Sequence, residues 1–201
     1  MRLADRTLSI ADFRRLGALE IYTAAEVVAF ARGRAATGAP PADGGVDDGL
    51  SFRIGQLFAS PTKVHRLLWL ARRPGVLPSI LLRRFAQLVA SRCVERLSAA
   101  DELADIRLKA ALVAHQQHLD GGCHLRSLDS LRADVEQATV DHVRYAGERA
   151  ADGCRAVAAA LDPDPCEAAA QAAHRYLELF RDAESEAWLR HCLSDLIERS
   201  G

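Results

Sequence analysis

Eight cations, Arg53, Lys63, Arg66, Arg72, Arg73, Arg83, Arg84 and Arg92, stand between Asp48 and Glu95 with no acidic residue among them. Positive side chains at this density are suited to neutralising a run of phosphates. The whole chain hides the block, because its formal net charge is only −1 over 201 residues. Residues 1–97 hold 15 Lys and Arg against 8 Asp and Glu, a net of +7, while residues 98–201 hold 11 against 19, a net of −8. The basic half therefore either meets an acidic partner outside the molecule or docks on the acidic half of the chain.

Other residue types that do chemistry are more scattered. His115-Gln-Gln-His118, with Asp120, Cys123 and His124, groups borderline-soft ligands locally, and a spacing of three puts both histidines on neighbouring positions of a helix. These are candidates for a metal ion, but the spacing matches no known zinc pattern, so core or surface histidines are the reading. Asp134, Glu136, Asp141 and His142 on one helix, and Glu178, Asp182, Glu184 and Glu186 on another, lack the Glu-x-x-His pairs of a helical di-metal site. They read as solvated acidic faces. Cys123 beside His124, and His191 beside Cys192, cannot face each other on a helix, and no Gly-x-Ser-x-Gly, phosphate loop or dinucleotide fingerprint occurs. A catalytic role is not expected, nor is a cofactor.

The elements that must position these residues are helices. The composition is 49% hydrophobic and 26% charged, rich in Ala, Leu and Arg and only 5% aromatic, which is helix usage. Five cysteines without a Cys-x-x-Cys pair fit a reducing, cytoplasmic setting, and the N-terminus does not read as a secretory signal. Arginine interrupts every apolar stretch between residues 64 and 97, so no membrane span is expected.

Ser9, with Asp12 three residues on, is placed to cap a first helix running to about residue 36. Residues 37–49 are turn formers and read as a flexible loop. The expected division is an N-terminal helix or arm over 1–36, the loop over 37–50, and a helical bundle over 51–201. Within the bundle, Ser60 and Pro61 are expected to open a helix that Pro74-Gly75 closes, followed by one over about 79–97. Ser98-Ala-Ala-Asp101 should open the next, stopped by Gly121-Gly122, and Ser127 should cap one that Asp152-Gly153 breaks. Asp164-Pro165-Cys166-Glu167 opens a last helix, to about Ile197 with a bend near 182–185.

Ile54 to Leu68, within 54–72, resembles the second and third helices of a helix-turn-helix DNA-binding unit. Ser60, Pro61, Thr62, Val64, Arg66 and Leu68 match the Ser-Pro-Thr-x-Val-x-Arg-x-Leu start of that family's recognition helix. Ala59 runs directly into Ser60, without the Gly and apolar residue usual in the family's turn. The resemblance implies a helix seated in a DNA groove. On a 100° wheel, Val64, Leu67, Leu68 and Ala71 form an inward stripe, leaving His65, Arg66, Trp69 and Arg73 opposite. Leu82-Arg-Arg-Phe85-Ala86, Ser91-Arg92-Cys93 and Ala187-Trp188-Leu189-Arg190 are similar to stretches of uncharacterised Ala-rich helical bacterial proteins, which implies only an all-α fold and a bacterial cytosolic origin.

Leu108, Leu112, His115 and Leu119 share one face of the expected 101–119 helix, and Leu103, Ile106, Ala110 and Val113 the other. That pattern predicts a central helix packed on both sides. The sequence thus predicts an all-α, irregular bundle of about seven helices around this central helix. Its expected role is a non-catalytic binding or regulatory protein whose basic segment 51–97 contacts a polyanion, nucleic acid first, through Lys63, His65, Arg66, Trp69, Arg72, Arg73, Arg83 and Arg84. The alternative is a protein-interaction subunit or self-associating bundle, and a metal-dependent helical-bundle enzyme comes third.

Overall fold

The computed structural model describes residues 2–17, 22, 26, 51–60, 62–122 and 125–200, with backbone only at 125–127. The expected loop at 37–49, and most of the helix expected to precede it, lie outside them. The fold is all-α. Nine helices are present among the described residues: α1 Ile10–Arg15, α2 Ile54–Phe58, α3 Val64–Ala71, α4 Ser79–Ala99, α5 Ile106–Leu119, α6 Leu125–Tyr145, α7 Glu148–Ala160, α8 Pro165–Leu179 and α9 Ala183–Arg199. Two three-residue strands, β1 Thr7–Ser9 and β2 Ser51–Arg53, complete the list with a 3-10 turn at Leu3–Asp5. The chain divides into two compact units, Met1–Val76 with Arg190–Gly201, and Leu77–Leu189.

In the first unit, β1 and β2 pair antiparallel, Leu8 opposite Phe52, which ties the N-terminal residues to the segment after residue 50. Phe13 packs edge-on to Phe52, with ring centroids 4.6 Å apart, and tilted against Tyr22 at 5.8 Å. The capping box at α1 forms as the sequence predicts: Asp12 N donates to Ser9 Oγ at 3.1 Å and Ser9 N to Asp12 Oδ2 at 2.9 Å. The Ser9 N–H, together with the Ser9 hydroxyl donating to Asp12 Oδ2 at 2.8 Å, holds the Asp12 carboxyl below its ordinary range.

In the second unit, the central position belongs to α7, which packs on α4, α5, α6 and α8. The sequence assigned it to α5, and the structure corrects this. α5 buries Leu108, Ala111, His115 and Leu119 on one side only, whereas Ile106 is 83% and Val113 58% exposed. α5 starts at Asp105, whose carboxylate accepts from Arg107 N, and not at Ser98, so Leu103 of the expected second face precedes the helix and is buried there. Ser98 belongs to the last turn of α4, which ends in a Schellman arrangement. Glu102 N donates to Leu97 O, Asp101 N donates to Ser98 O, and Asp101 sits at φ +59.

α7 also passes straight through Asp152-Gly153, where the sequence predicted a break; the chain breaks instead at Ala146-Gly147. Gly153 serves packing. A Cβ built on it would lie 2.5 Å from Leu97 Cδ1 and 2.8 Å from Leu103 Cδ2, so its absence lets α7 approach both leucines. The Asp164-Pro165 start is as expected, with Cys166 N donating to Asp164 Oδ1 at 2.7 Å. The last segment is two helices, because Phe180 leaves helical geometry at φ −124 and ψ 80. No helix among the described residues is long and apolar enough to cross a membrane.

Candidate nucleic-acid interface

The candidate site is built on α3, an eight-residue helix of the first unit. Val64, Leu67, Leu68, Leu70 and Ala71 are buried, so the inward stripe predicted from the wheel is observed and Leu70 joins it. That burial fixes the helix and turns His65 to solvent, with Arg66, Trp69, Arg72 and Arg73 half-buried around it.

The start of α3 differs from the sequence prediction. Ser60 does not cap it: its hydroxyl donates to Leu57 O at 2.6 Å, closing α2, and accepts from the Thr62 hydroxyl at 3.0 Å. The first helical residue is Val64, after Lys63, and Ser60 and Thr62 of the helix-turn-helix-like motif precede the helix. Short α2, ending at Phe58, leaves the connection to bring Thr62 and Lys63 to the head of α3.

At that head lies a groove of about 310 Å³ lined by Thr62, Lys63, His65, Arg66 and Glu26. Lys63 and His65 are exposed. Arg66 Nη1 donates to Glu26 Oε1 at 2.8 Å, with about a third of each side chain or less in solvent. Further along the helix the Arg73 guanidinium lies 3.8 Å above the Trp69 ring, a cation–π stack made within one helical turn. The groove thus lies beside the positive end of the helix dipole, and the stack at the opposite, C-terminal end. α3 and its N-cap Lys63 therefore bring Lys63, His65 and Arg66 to one groove, while Trp69 stacks with Arg73 just past the C-cap Arg72.

The remaining predicted residues belong to the second unit. Arg83 donates to the carbonyls of Asp162 (3.0 Å) and Pro163, which fastens α4 to the α7–α8 connection. Arg84 is nearly half exposed and stands 3.8 Å from an exposed Asp120 carboxylate. Arg92 pairs with Glu95 at 3.6 Å on its own helix. The cations of the basic segment thus differ in their contacts: Arg83 is bonded to backbone carbonyls, while Lys63 and Arg66 line the groove.

Of the metal candidates, His115 and His118 are among the described residues. His115 is fully buried, neither ring nitrogen has a hydrogen-bond partner among the described residues, and burial, aided by Arg83 and His118, pushes its pKa down to about 4. It is held neutral. Cys123 and His124 lie outside the described residues, and among those residues no three His, Cys, Asp or Glu side chains come together to hold an ion. Burial pushes the thiols of Cys93, Cys154 and Cys192 up to about 12, which keeps them protonated and poor nucleophiles.

Two side-chain networks escaped the sequence reading. Asp105 accepts from Arg107 Nη2 at 2.7 Å and lies 3.1 Å from His142 Nε2, while Arg107 Nη1 donates to Asp141 at 2.6 Å. The Arg107 guanidinium and amide hold the Asp105 carboxyl down to about 2. Arg96 donates to Tyr176, Ser185 and Asp182 and stacks 3.9 Å over the Phe180 ring. Both join residues at least 34 positions apart, or neighbours whose turn only the fold defines. Comparison with protein-family models, curated proteins and solved structures finds no match to this chain.

Proposed function

We propose that this protein is a non-catalytic binding protein that grips a polyanion, nucleic acid in the first place, through the head of α3. The observation that carries the reading is the groove where Lys63, His65 and Arg66 meet beside Thr62. Phosphate oxygens entering it are met by two permanent cations, an imidazole and a hydroxyl, and each neutralised phosphate releases counterions to solution. The Trp69–Arg73 stack on the same helix offers a planar surface on which a base can extend the stacking. The resemblance of 54–72 to a helix-turn-helix unit is a second support for nucleic acid, with the start of α3 set at Val64.

The reading is tested with fluorescently labelled duplex and single-stranded oligonucleotides in an anisotropy titration. Wild-type protein is expected to bind at low salt, and Lys63→Ala with Arg66→Ala together to weaken binding by at least roughly tenfold. Binding that both substitutions leave unchanged rejects the site.

The runner-up is a protein-interaction or self-associating subunit, favoured by Ile106 at 83% and Val113 at 58% exposure on the outer face of α5. Salt-sensitive self-association without nucleic-acid binding would favour it over the first reading.

A further inference from the structure

The second unit contains a groove of about 390 Å³ between α6, α7 and α8, separate from the α3 site in residues and in chemistry. Three arginines line it, one from each helix: Arg132, Arg155 and Arg175. Their protein bonds are unequally spread over the guanidinium edges. Arg132 uses Nε for Glu136 at 3.1 Å and Nη1 for Asp162 at 3.0 Å, so both acids of the lining are consumed by it. Arg155 makes its bonds, to Asp152 at 2.5 Å and Glu148 at 3.1 Å, through Nη1 alone. Arg175 likewise uses Nη1 alone, for Glu178 at 3.0 Å. The Nε–Nη2 edge of both Arg155 and Arg175 therefore has no acceptor among the described residues.

That edge is the planar fork that matches the two oxygens of a carboxylate. The acids on the Nη1 side fix each guanidinium in place, which lowers the ordering cost of a ligand. Ala158 and Ala159 also line the groove, and these small side chains leave room for a short hydrocarbon. A compact polyanion is disfavoured, because the acids paired with these arginines, among them Glu148 at 70% side-chain exposure and Glu178 at 42%, would repel concentrated negative charge. Two single charges held apart, one on each helix, suffer least. We propose that the groove binds a small dicarboxylate, with one carboxylate on the Arg155 fork, the other on the Arg175 fork, and the connecting methylenes over Ala158 and Ala159.

The test is isothermal titration calorimetry of the whole protein at low ionic strength with acetate, succinate, glutarate and adipate. One chain length is expected to bind saturably and roughly tenfold more tightly than acetate, since a second charge-assisted pair is worth about that factor. Arg155→Lys and Arg175→Lys keep the charge and lose the fork, and each should weaken binding by about tenfold. Ala159→Phe fills the groove with every charge intact and should abolish it, with circular dichroism checking the fold. Joint replacement of Lys63 and Arg66 by Ala should leave it unchanged. Dicarboxylates that bind no better than acetate, or binding that the lysine variants and a folded Ala159→Phe retain, overturn the proposal.

Discussion

Glu26 Oε1 sits 2.8 Å from Arg66 Nη1 at the head of α3, inside the same groove that holds Lys63 and His65. The carboxylate occupies a guanidinium that a phosphate would otherwise take. Glu26→Gln should therefore raise affinity for an oligonucleotide about three- to tenfold at low salt and steepen its salt dependence by up to about 0.9 in log–log slope. Anisotropy titrations at two salt concentrations measure both, and equal or weaker binding by the variant would show that Arg66 does not reach the ligand.

Gly153 is placed by the approach of α7 to Leu97 and Leu103, both buried. Gly153→Ala gains helix propensity of about 1 kcal/mol but forces two core side chains to move, at about 1–3 kcal/mol. The net is a loss of up to about 2 kcal/mol in urea denaturation, and a midpoint raised by the full helix-propensity gain of about 1 kcal/mol would mean that the leucines repack without cost.

His115 gives the second unit a pH signature. Its folded pKa is pushed down to about 4 from an ordinary 6.5, so the unfolded chain binds the additional proton between those values and stability falls as pH drops from about 6.5 towards 4. The full effect is of order 3 kcal/mol. His115→Leu removes two unpartnered buried nitrogens, so it should be neutral or stabilising at pH 7 and flatten this part of the profile. Thermal unfolding from pH 7 to 4 reads it, and identical slopes for variant and wild type would contradict the buried, neutral assignment.

Asp105 caps α5 and holds both Arg107 and His142. Asp105→Ala should cost about 2–4 kcal/mol, since it removes a cap and leaves two partly buried partners, while Asp105→Asn retains the cap and costs less. Because the folded carboxyl is held near 2, below its ordinary 3.8, its contribution is present above about 3.8 and is lost only as pH falls towards 2. Urea midpoints of the two variants at pH 7 check the ranking.

Local chemistry made much of this fold legible. The Ser9–Asp12 box, the Asp164-Pro165 start and the Val64, Leu67, Leu68, Ala71 stripe are each decided within one helical turn, and each is observed. The same reasoning misplaced α5 because Ser98, a good capping residue by type, instead closes α4 with its hydroxyl on Leu103 O. It broke α7 at Gly153, where the glycine answers to leucines 50 and more positions away. The candidate site follows this division. The cations of α3 were visible in composition, but Glu26 in their groove, the commitment of Arg83 to backbone carbonyls and the Asp105 network depend on contacts that only the tertiary fold creates.

The most direct measurement is the salt dependence of oligonucleotide binding, compared between the wild type and the double variant Lys63→Ala, Arg66→Ala. Log affinity is expected to fall linearly with log salt in the wild type, and the double variant to lose about 0.7–1.8 from the slope, the lower value being Lys63 alone with Arg66 held by Glu26. A wild-type affinity that salt does not change, or a slope that the double variant keeps, would contradict it.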